Sequence, residues 1–294
     1  MANKFVVSPM IEKISLKPGE TYTSSITVGN PKDATEDFYF KISLSPYGVK
    51  GEDYSPDFAT MTDWTKIVNW VTLDTTEGVL KPNETRKINY TVKVPMDAPG
   101  GGQYFKIGVS SNAAAVSGES GAVQNVYEMA SLVFAEVDGE IRHDGKILGT
   151  DIPGFVATGK SNLINKYVND GNVHETATTK ITIKNALTGE VVSPKEGEDS
   201  TLESIIMPQT TRVVARELNN LPPLGVFEVT EDISYMGTEI SPSAIMIICP
   251  AWFIFFVIAM IASVIGMVFY GKHLKKKSLK KELHSEKTNG KIEP

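Results

Sequence analysis

Apolar side chains fall on alternate positions over most of the first 240 residues. Phe38, Phe40, Ile42 and Leu44 alternate with polar neighbours, as do Ile88, Tyr90, Val92 and Val94, and then Phe105, Ile107 and Val109. The spacing returns in Ala177, Thr179, Ile181 and Ile183, and in Phe227, Val229, Ile233 and Tyr235, with Glu231 placed outward or at an edge. Side chains on a strand point to opposite faces in turn, so each run predicts a half-buried strand. No long amphipathic helix competes. Turn chemistry separates the runs: Leu16-Lys17-Pro18-Gly19-Glu20, Leu80-Lys81-Pro82-Asn83-Glu84 and Met207-Pro208-Gln209 each place a proline where φ must be preset and a permissive residue where the chain turns. Asn185 to Glu190 predicts a hairpin between Ile183 and Val191. Closely spaced strands of this kind are the pattern of β-sandwiches.

The periodicity changes at Ala244. From there to Tyr270 the chain is uncharged, and eleven Ile, Phe and Val residues lie between Phe253 and Phe269. On a membrane-insertion scale these contribute on the order of −3 to −7 kcal/mol, and about 20 apolar residues suffice to cross a bilayer as a helix. The run predicts one transmembrane helix over 244–270, with Trp252 and Tyr270 as interfacial aromatics at its ends. Ala259, Ala262, Ser263 and Gly266 recur at i, i+3, i+4 and i+7 and form a small-residue face where another helix, or a second copy in a weak homo-oligomer, can approach.

A composition break from Asp138-Gly139 to Asp144-Gly145 divides what precedes the helix into a first domain, 1–138, and a second, 139–240. Ser110 to Gly121, rich in Ser, Ala and Gly, predicts a mobile hairpin loop, with a strand resuming at Val123.

Charge sets the expected orientation. Residues 271–294 hold eight Lys and three Glu, Lys272, Lys275, Lys276 and Lys277 among them, a balance of +5 against −6 for the whole chain. Short Lys-rich flanks stay on the cytoplasmic side, so the preceding domains are expected outside the cell membrane. Their balance of −11 argues against nucleic acid or anionic lipid as a partner of these domains. The Lys cluster can also recruit anionic headgroups, although anchoring alone accounts for it. Met1 to Met10 lacks the basic and apolar regions of an export leader. A replaced leader, a displaced gene start or a tail-anchored protein with cytosolic domains are the alternatives. Cys249 is the only cysteine, so no disulfide joins the sheets, which fits a bacterial surface.

Candidate chemistry is sparse. The chain has no phosphate loop, zinc-type histidine spacing or nucleophile elbow, and no enzymatic activity, cofactor or metal is expected. His174 beside Glu175 is better read as a turn-end histidine than as a ligand, and Asp33, Glu36 and Asp37 as a solvated acidic turn. Gly100-Gly101-Gly102 predicts a tight turn before the strand at Tyr104. The sharpest candidate is aromatic: Tyr47, Tyr54, Trp64 and Trp70, with Phe58, occupy a long segment of weak periodicity, and stacked rings make platforms for sugars. The competing reading has Trp70 opening a core strand, Trp70 to Leu73, with Trp64 covering its edge.

Several motifs, in order, resemble the bacterial WxL-interacting surface proteins. In the first domain these are Val7-Ser8-Pro9, Leu16 to Glu20 followed by Val28-Gly29-Asn30, and Val94-Pro95-Met96-Asp97-Ala98-Pro99-Gly100-Gly101. In the second they are Val168-Asn169-Asp170-Gly171-Asn172-Val173-His174 and Leu221-Pro222-Pro223-Leu224-Gly225-Val226-Phe227. The resemblance implies an all-β chain of two tandem immunoglobulin-like β-sandwiches followed by one transmembrane α-helix and a basic tail. It implies a surface scaffold or adhesin whose first domain binds peptidoglycan and whose second recognises a partner protein. The first domain also resembles pilus-assembly chaperones. The alternative function is an accessory subunit of a larger membrane or surface assembly, with ectodomain and helix packing on other subunits.

Overall fold

The computed structural model describes residues 5–111, 127–157, 160–195, 198–218 and 221–289. The first half of the chain supplies β1 (Val6–Ser8), β2 (Ile11–Leu16), β3 (Thr21–Gly29), β4 (Phe38–Pro46), β5 (Gly48–Lys50), β6 (Ser55–Asp57), β7 (Val71–Leu73), β8 (Glu77–Leu80), β9 (Thr85–Lys93), β10 (Gly101–Ser111) and β11 (Glu128–Val137). The second supplies β12 (Gly145–Asp151), β13 (Phe155–Val156), β14 (Ser161–Asn169), β15 (Glu175–Asn185), β16 (Val191–Ser193), β17 (Thr201–Ile206), β18 (Thr210–Leu218), β19 (Gly225–Tyr235), β20 (Thr238–Ile240) and β21 (Ser243–Ile248), and then α1 (Ala251–Asn289). The fold is two tandem immunoglobulin-like β-sandwiches followed by one long apolar helix.

In the first sandwich, the sheet β1-β3-β9-β7 faces β2-β11-β10-β4-β8. The chain changes sheets between β1 and β2, and β2 then runs parallel to β11. Ile26, Val28, Ile88, Tyr90 and Val92 from one sheet meet Phe40, Phe105, Ile107 and Val133 from the other in one buried cluster. Two of the predicted turns share one construction. The residue after proline takes positive φ (Gly19, 79°; Asn83, 66°), and the Glu20 and Glu84 carboxylates accept from the Lys17 and Lys81 amides at 2.8 and 2.9 Å. At Pro208-Gln209 the hydroxyl of Thr210 instead donates to the Met207 carbonyl at 2.7 Å.

In the second sandwich, β12-β14-β18 covers the sheet built on β13-β21-β19-β15-β16, with β17 paired to β15 and β20 to β19. Its core is in two parts, one around Phe227, Val229, Met246 and Ile248 and one around Tyr167, Ile233 and Tyr235. Polar side chains lie among them: Asn165, Thr179 and Glu231 are buried. Glu231 therefore points inward rather than outward or at an edge. Strict alternation along β19 carries residues 227, 229, 231, 233 and 235 to the same face, and Asn165 Nδ2 from the opposite sheet approaches Glu231 Oε1 at 3.4 Å.

The uncharged run from Ala244 to Tyr270 is not one helix. Its first residues form β21, with Met246 and Ile248 fully buried against β19 and β13, so the second sandwich continues past residue 240. Ser243 to Ile248 alternates in and out, and Pro250 cannot donate to a ladder, so the strand ends there and a helix begins. From Ala251 the helix is long and apolar enough to cross a membrane. Tyr270 lies about 27 Å along it from Trp252, near the thickness of a bilayer core. Ala259, Ala262, Ser263 and Gly266 are all exposed on α1, and Lys272, Lys275, Lys276 and Lys277 continue it as helix.

Candidate functional site

A solvent-open groove of about 860 Å³ runs over the first sandwich between two segments remote in sequence. Trp64, Lys66, Asn69 and Trp70 form one wall together with Asp63, and Pro95, Asp97 and Ala98 form the other. A 3-10 turn at Lys66–Trp70 shapes the first wall. Ile67 anchors it, fully buried, and the buried Gln103 of β10 clamps it, accepting from the Ile67 amide at 3.1 Å and donating to the Asp63 carbonyl at 2.7 Å. The turn is entered through Thr65, whose hydroxyl accepts from the Thr62 amide at 2.8 Å. Lys66 and Asp63 pair at 2.6 Å in the open. The second wall is a turn closed by the Ala98 amide on the Pro95 carbonyl at 3.2 Å, with Ala98 packed on the core below. Two half-buried indoles beside a carboxylate, an amide and an ammonium form a surface that can stack a flat apolar face and hydrogen-bond its hydroxyl rim.

The structure brings Trp64 and Trp70 to this groove and sends Tyr47 and Tyr54 elsewhere. Trp70 lies at the end of the 3-10 turn and also packs on the core, and the strand after it begins at Val71. Tyr47, Tyr54 and Trp64 pack with the buried Tyr104, Phe134 and Met207 at the junction of the two sandwiches. Trp64 therefore belongs to both places. The segment around β5 and β6 covers the outer face of β10, which accounts for its weak periodicity and for the burial of β10 on both sides from Gly101 to Val109.

The junction is dense in hydrogen bonds. Tyr54, held at positive φ (61°), accepts from the Met207 amide at 3.0 Å, bonds to the Thr210 hydroxyl, and lies 4.6 Å under the Arg212 guanidinium. The Val213 amide reaches the Glu52 carbonyl at 2.7 Å, and Lys166 pairs with the Glu52 carboxylate at 2.8 Å. His174 stands edge-on to Tyr104 and Phe134, with ring centroids 5.6 and 5.1 Å away, and its amide donates to the Tyr104 hydroxyl at 2.9 Å. Burial, with Lys13 adding to it, lowers the His174 pKa to about 4. Glu175 pairs instead with His143 at 2.5 Å. Among the described residues no group of three or more His, Cys, Asp or Glu side chains is placed to hold a metal.

The glycine run also serves this junction, not the tight turn expected of it. The turn lies earlier, at Met96-Asp97, and Gly101 and Gly102 are already in β10. Gly101 has φ 123°, and a Cβ there would come within 2.6 Å of the Asn172 carbonyl of the second sandwich, which accepts from the Gly102 amide at 2.8 Å. Ser110 and Ser111 end β10, and 112–126, with most of the expected loop and Val123, lies outside the described residues. Sequence reasoning missed Asp63, Lys66, Asn69 and Asp97. The Pro-Met-Asp-Ala-Pro stretch was visible, but its apposition to Asn69 depends on the sandwich closing.

No family model matches the chain, and no curated protein does. Solved structures similar to it include the class 5 fimbriae chaperone CfaA, at 15% identity and a TM-score of 0.39 over 84% of this chain and 100% of that one. The SafB chaperone in complex with the SafA pilin of Salmonella enterica is 10% identical, with a TM-score of 0.39 over 84% and 98%. In the CsuC-CsuE pre-assembly complex of Acinetobacter baumannii, the matched chain is 12% identical, with a TM-score of 0.38 over 72% and 90%. At this level of likeness nothing about their partners carries over.

Proposed function

We propose that the chain is a membrane-anchored, non-enzymatic surface scaffold of the WxL-interacting type, which holds cell-wall glycan in the groove of its first sandwich and leaves the second for a partner protein. The groove carries this reading: Trp64 and Trp70 share one open cleft with Asp63, Asn69 and Asp97. The uncharged helix and its Lys-rich continuation support an orientation with both sandwiches outside and the tail in the cytoplasm.

The test is titration of the full chain in detergent with soluble peptidoglycan fragments, read by tryptophan fluorescence and calorimetry. Asn69→Ala and Asp97→Ala alter exposed groove side chains without touching the core, and each lost hydrogen bond should weaken binding by about 1–3 kcal/mol, roughly 5- to 140-fold. Trp64→Ala should lose more. Saturable binding that both polar variants leave unchanged, or no binding of wall glycan, overturns the reading.

A further inference from the structure

The end of the second sandwich that adjoins α1 carries four apolar segments, 153–157, 185–191, 221–227 and 247–250, beside the ends of β14 and β18, where Lys160 and Glu217 pair at 3.1 Å. Together the 23 residues of these four segments contain one charged side chain, Glu190, in a chain that is 22% charged. The register places them at one level. Gly225 pairs with Ile248, Val156 with Ile248, Asn185 with Phe227, and the Ala186 amide donates to the Val226 carbonyl at 2.9 Å. Large apolar side chains stand out from this end: Leu187 is 86% exposed, Phe155 55%, Leu224 44% and Ile247 43%.

Leu187 does not dangle from a loose loop. The Asn185 carboxamide oxygen accepts from the Leu187 and Thr188 amides at 2.9 and 3.2 Å, and the Gly189 amide closes on the Asn185 carbonyl at 2.8 Å. The turn thus fixes a leucine at its tip, where polar residues are usual. Glu190, whose carbonyl pairs with the Asn185 amide at 2.8 Å, lies back from the tip at the level of the strand ends. On the outer sheet face, Phe155, Ile247 and Val226 form the last row across three neighbouring strands. One row further from the helix, Ile245 is flanked by Glu228 and then Lys184, both exposed. Alternate residues on a strand are about 7 Å apart, so the apolar zone is about as deep as an interfacially bound element sinks into the boundary between headgroups and acyl chains.

What covers this end follows from the connection to α1. The Cys249 amide still donates to the Val156 carbonyl at 2.9 Å, and the Phe253 and Ile254 amides already bond to the Pro250 carbonyl at 3.0 and 3.3 Å. Sheet bonding passes into helix bonding without a slack residue. Ile248 and Ala251 are at most about 10 Å apart even when extended, and Trp252, 65% exposed, is an aromatic of the kind found at membrane interfaces.

We propose that this end of the second sandwich is seated in the bilayer surface, with Leu187, Leu224, Phe155 and Ile247 immersed among the lipid headgroups around the emerging helix. The inference rests on α1 spanning the membrane. Its occupant is lipid, because the last row of the sheet from which the helix leaves, Phe155, Ile247 and Val226, is apolar, and the row beyond it carries Glu228 and Lys184.

The test uses full-length chain in lipid nanodiscs, with Cys249→Ser as background and one fluorophore each at Leu187→Cys, Leu224→Cys, Leu148→Cys and Val264→Cys. Leu148 is a comparator on β12, 45% exposed but away from this end. Nitroxide lipids labelled at the headgroup should quench positions 187 and 224 severalfold more than 148, and acyl-labelled lipids should quench 264. Quenching at 264 with 187 and 224 no different from 148 overturns the seated rim and leaves the spanning helix intact. No quenching at 264 removes the spanning helix and the rim with it.

Discussion

Tyr54→Phe removes one oxygen from the junction and leaves the ring. In the native chain the Met207 amide donates to the Tyr54 oxygen, the Tyr54 hydroxyl donates to Thr210, and the Thr210 hydroxyl donates to the Met207 carbonyl, closing a ring of three hydrogen bonds. The variant strands the Met207 amide in a residue only 5% exposed. A buried donor left without a partner costs about 1–3 kcal/mol, while the ring's packing and its contact with Arg212 remain. Taking about 2 kcal/mol, and about 2–4 °C per kcal/mol for domains of this combined size, Tm should fall by about 4–8 °C. Thr210→Val breaks the same ring, so the double variant should fall short of the summed single losses by about 0.5–1.5 kcal/mol. Thermal unfolding of the full chain in detergent, followed by intrinsic fluorescence, reads the shift, and hydrogen exchange at Met207 should accelerate. An unchanged Tm with unchanged exchange at Met207 would refute a hydrogen-bonded junction, and full additivity would refute the closed ring.

Further outcomes follow from buried groups. His174 is held neutral, its pKa lowered to about 4 from the ordinary 6.5. Its contribution is therefore complete above pH 6.5 and is lost as pH falls towards 4. The full shift corresponds to about 3 kcal/mol, which partial exposure reduces to about 1–2 kcal/mol. His174→Gln should flatten that part of the stability profile, and an unaltered acid limb would remove His174 as its source. Burial raises the Glu231 pKa, so its folded form favours the proton and its penalty grows as pH rises. Glu231→Gln should raise Tm at pH 8 more than at pH 5, and an equal gain at both would mean that the carboxyl does not titrate there. Met246→Ala should cost the second sandwich about 2–5 kcal/mol as a cavity in its core. A silent substitution would return Met246 to the apolar helical run.

The alternation of apolar residues was a reliable guide wherever one face of a strand was solvated, as in β4, β9 and β15. It was less informative where both faces are covered, because the covering arrives from remote sequence. The outer face of β10 is closed by the segment around Tyr54 and by Met207, and nothing near Tyr104 announces either. Ser243 to Ile248 merged into the membrane signal because composition outweighed its period of two, and Pro250 was the only local mark of the break. Glu231 obeys the alternation: its position in the period of two, not its charge, decides which face it takes. The two indoles of the groove were legible as residue types. That Trp64 and Trp70 face Asp97 while Tyr47 and Tyr54 face Met207 is a property of chain closure, not of spacing.

The continuity from β21 into α1 has a mechanical consequence. Chain enters the second sandwich at Gly145, level with Asn169 beside the junction, and leaves it at the far end through Ile248. A molecule held by its first sandwich and by its helix carries tension lengthwise through this sandwich. β21 is paired with β19 over Ser243 to Ile248, and those bonds lie across the pull, so they are loaded together in shear rather than peeled one at a time. With no slack peptide before the helix, displacement of α1 relative to the first sandwich reaches that ladder undamped.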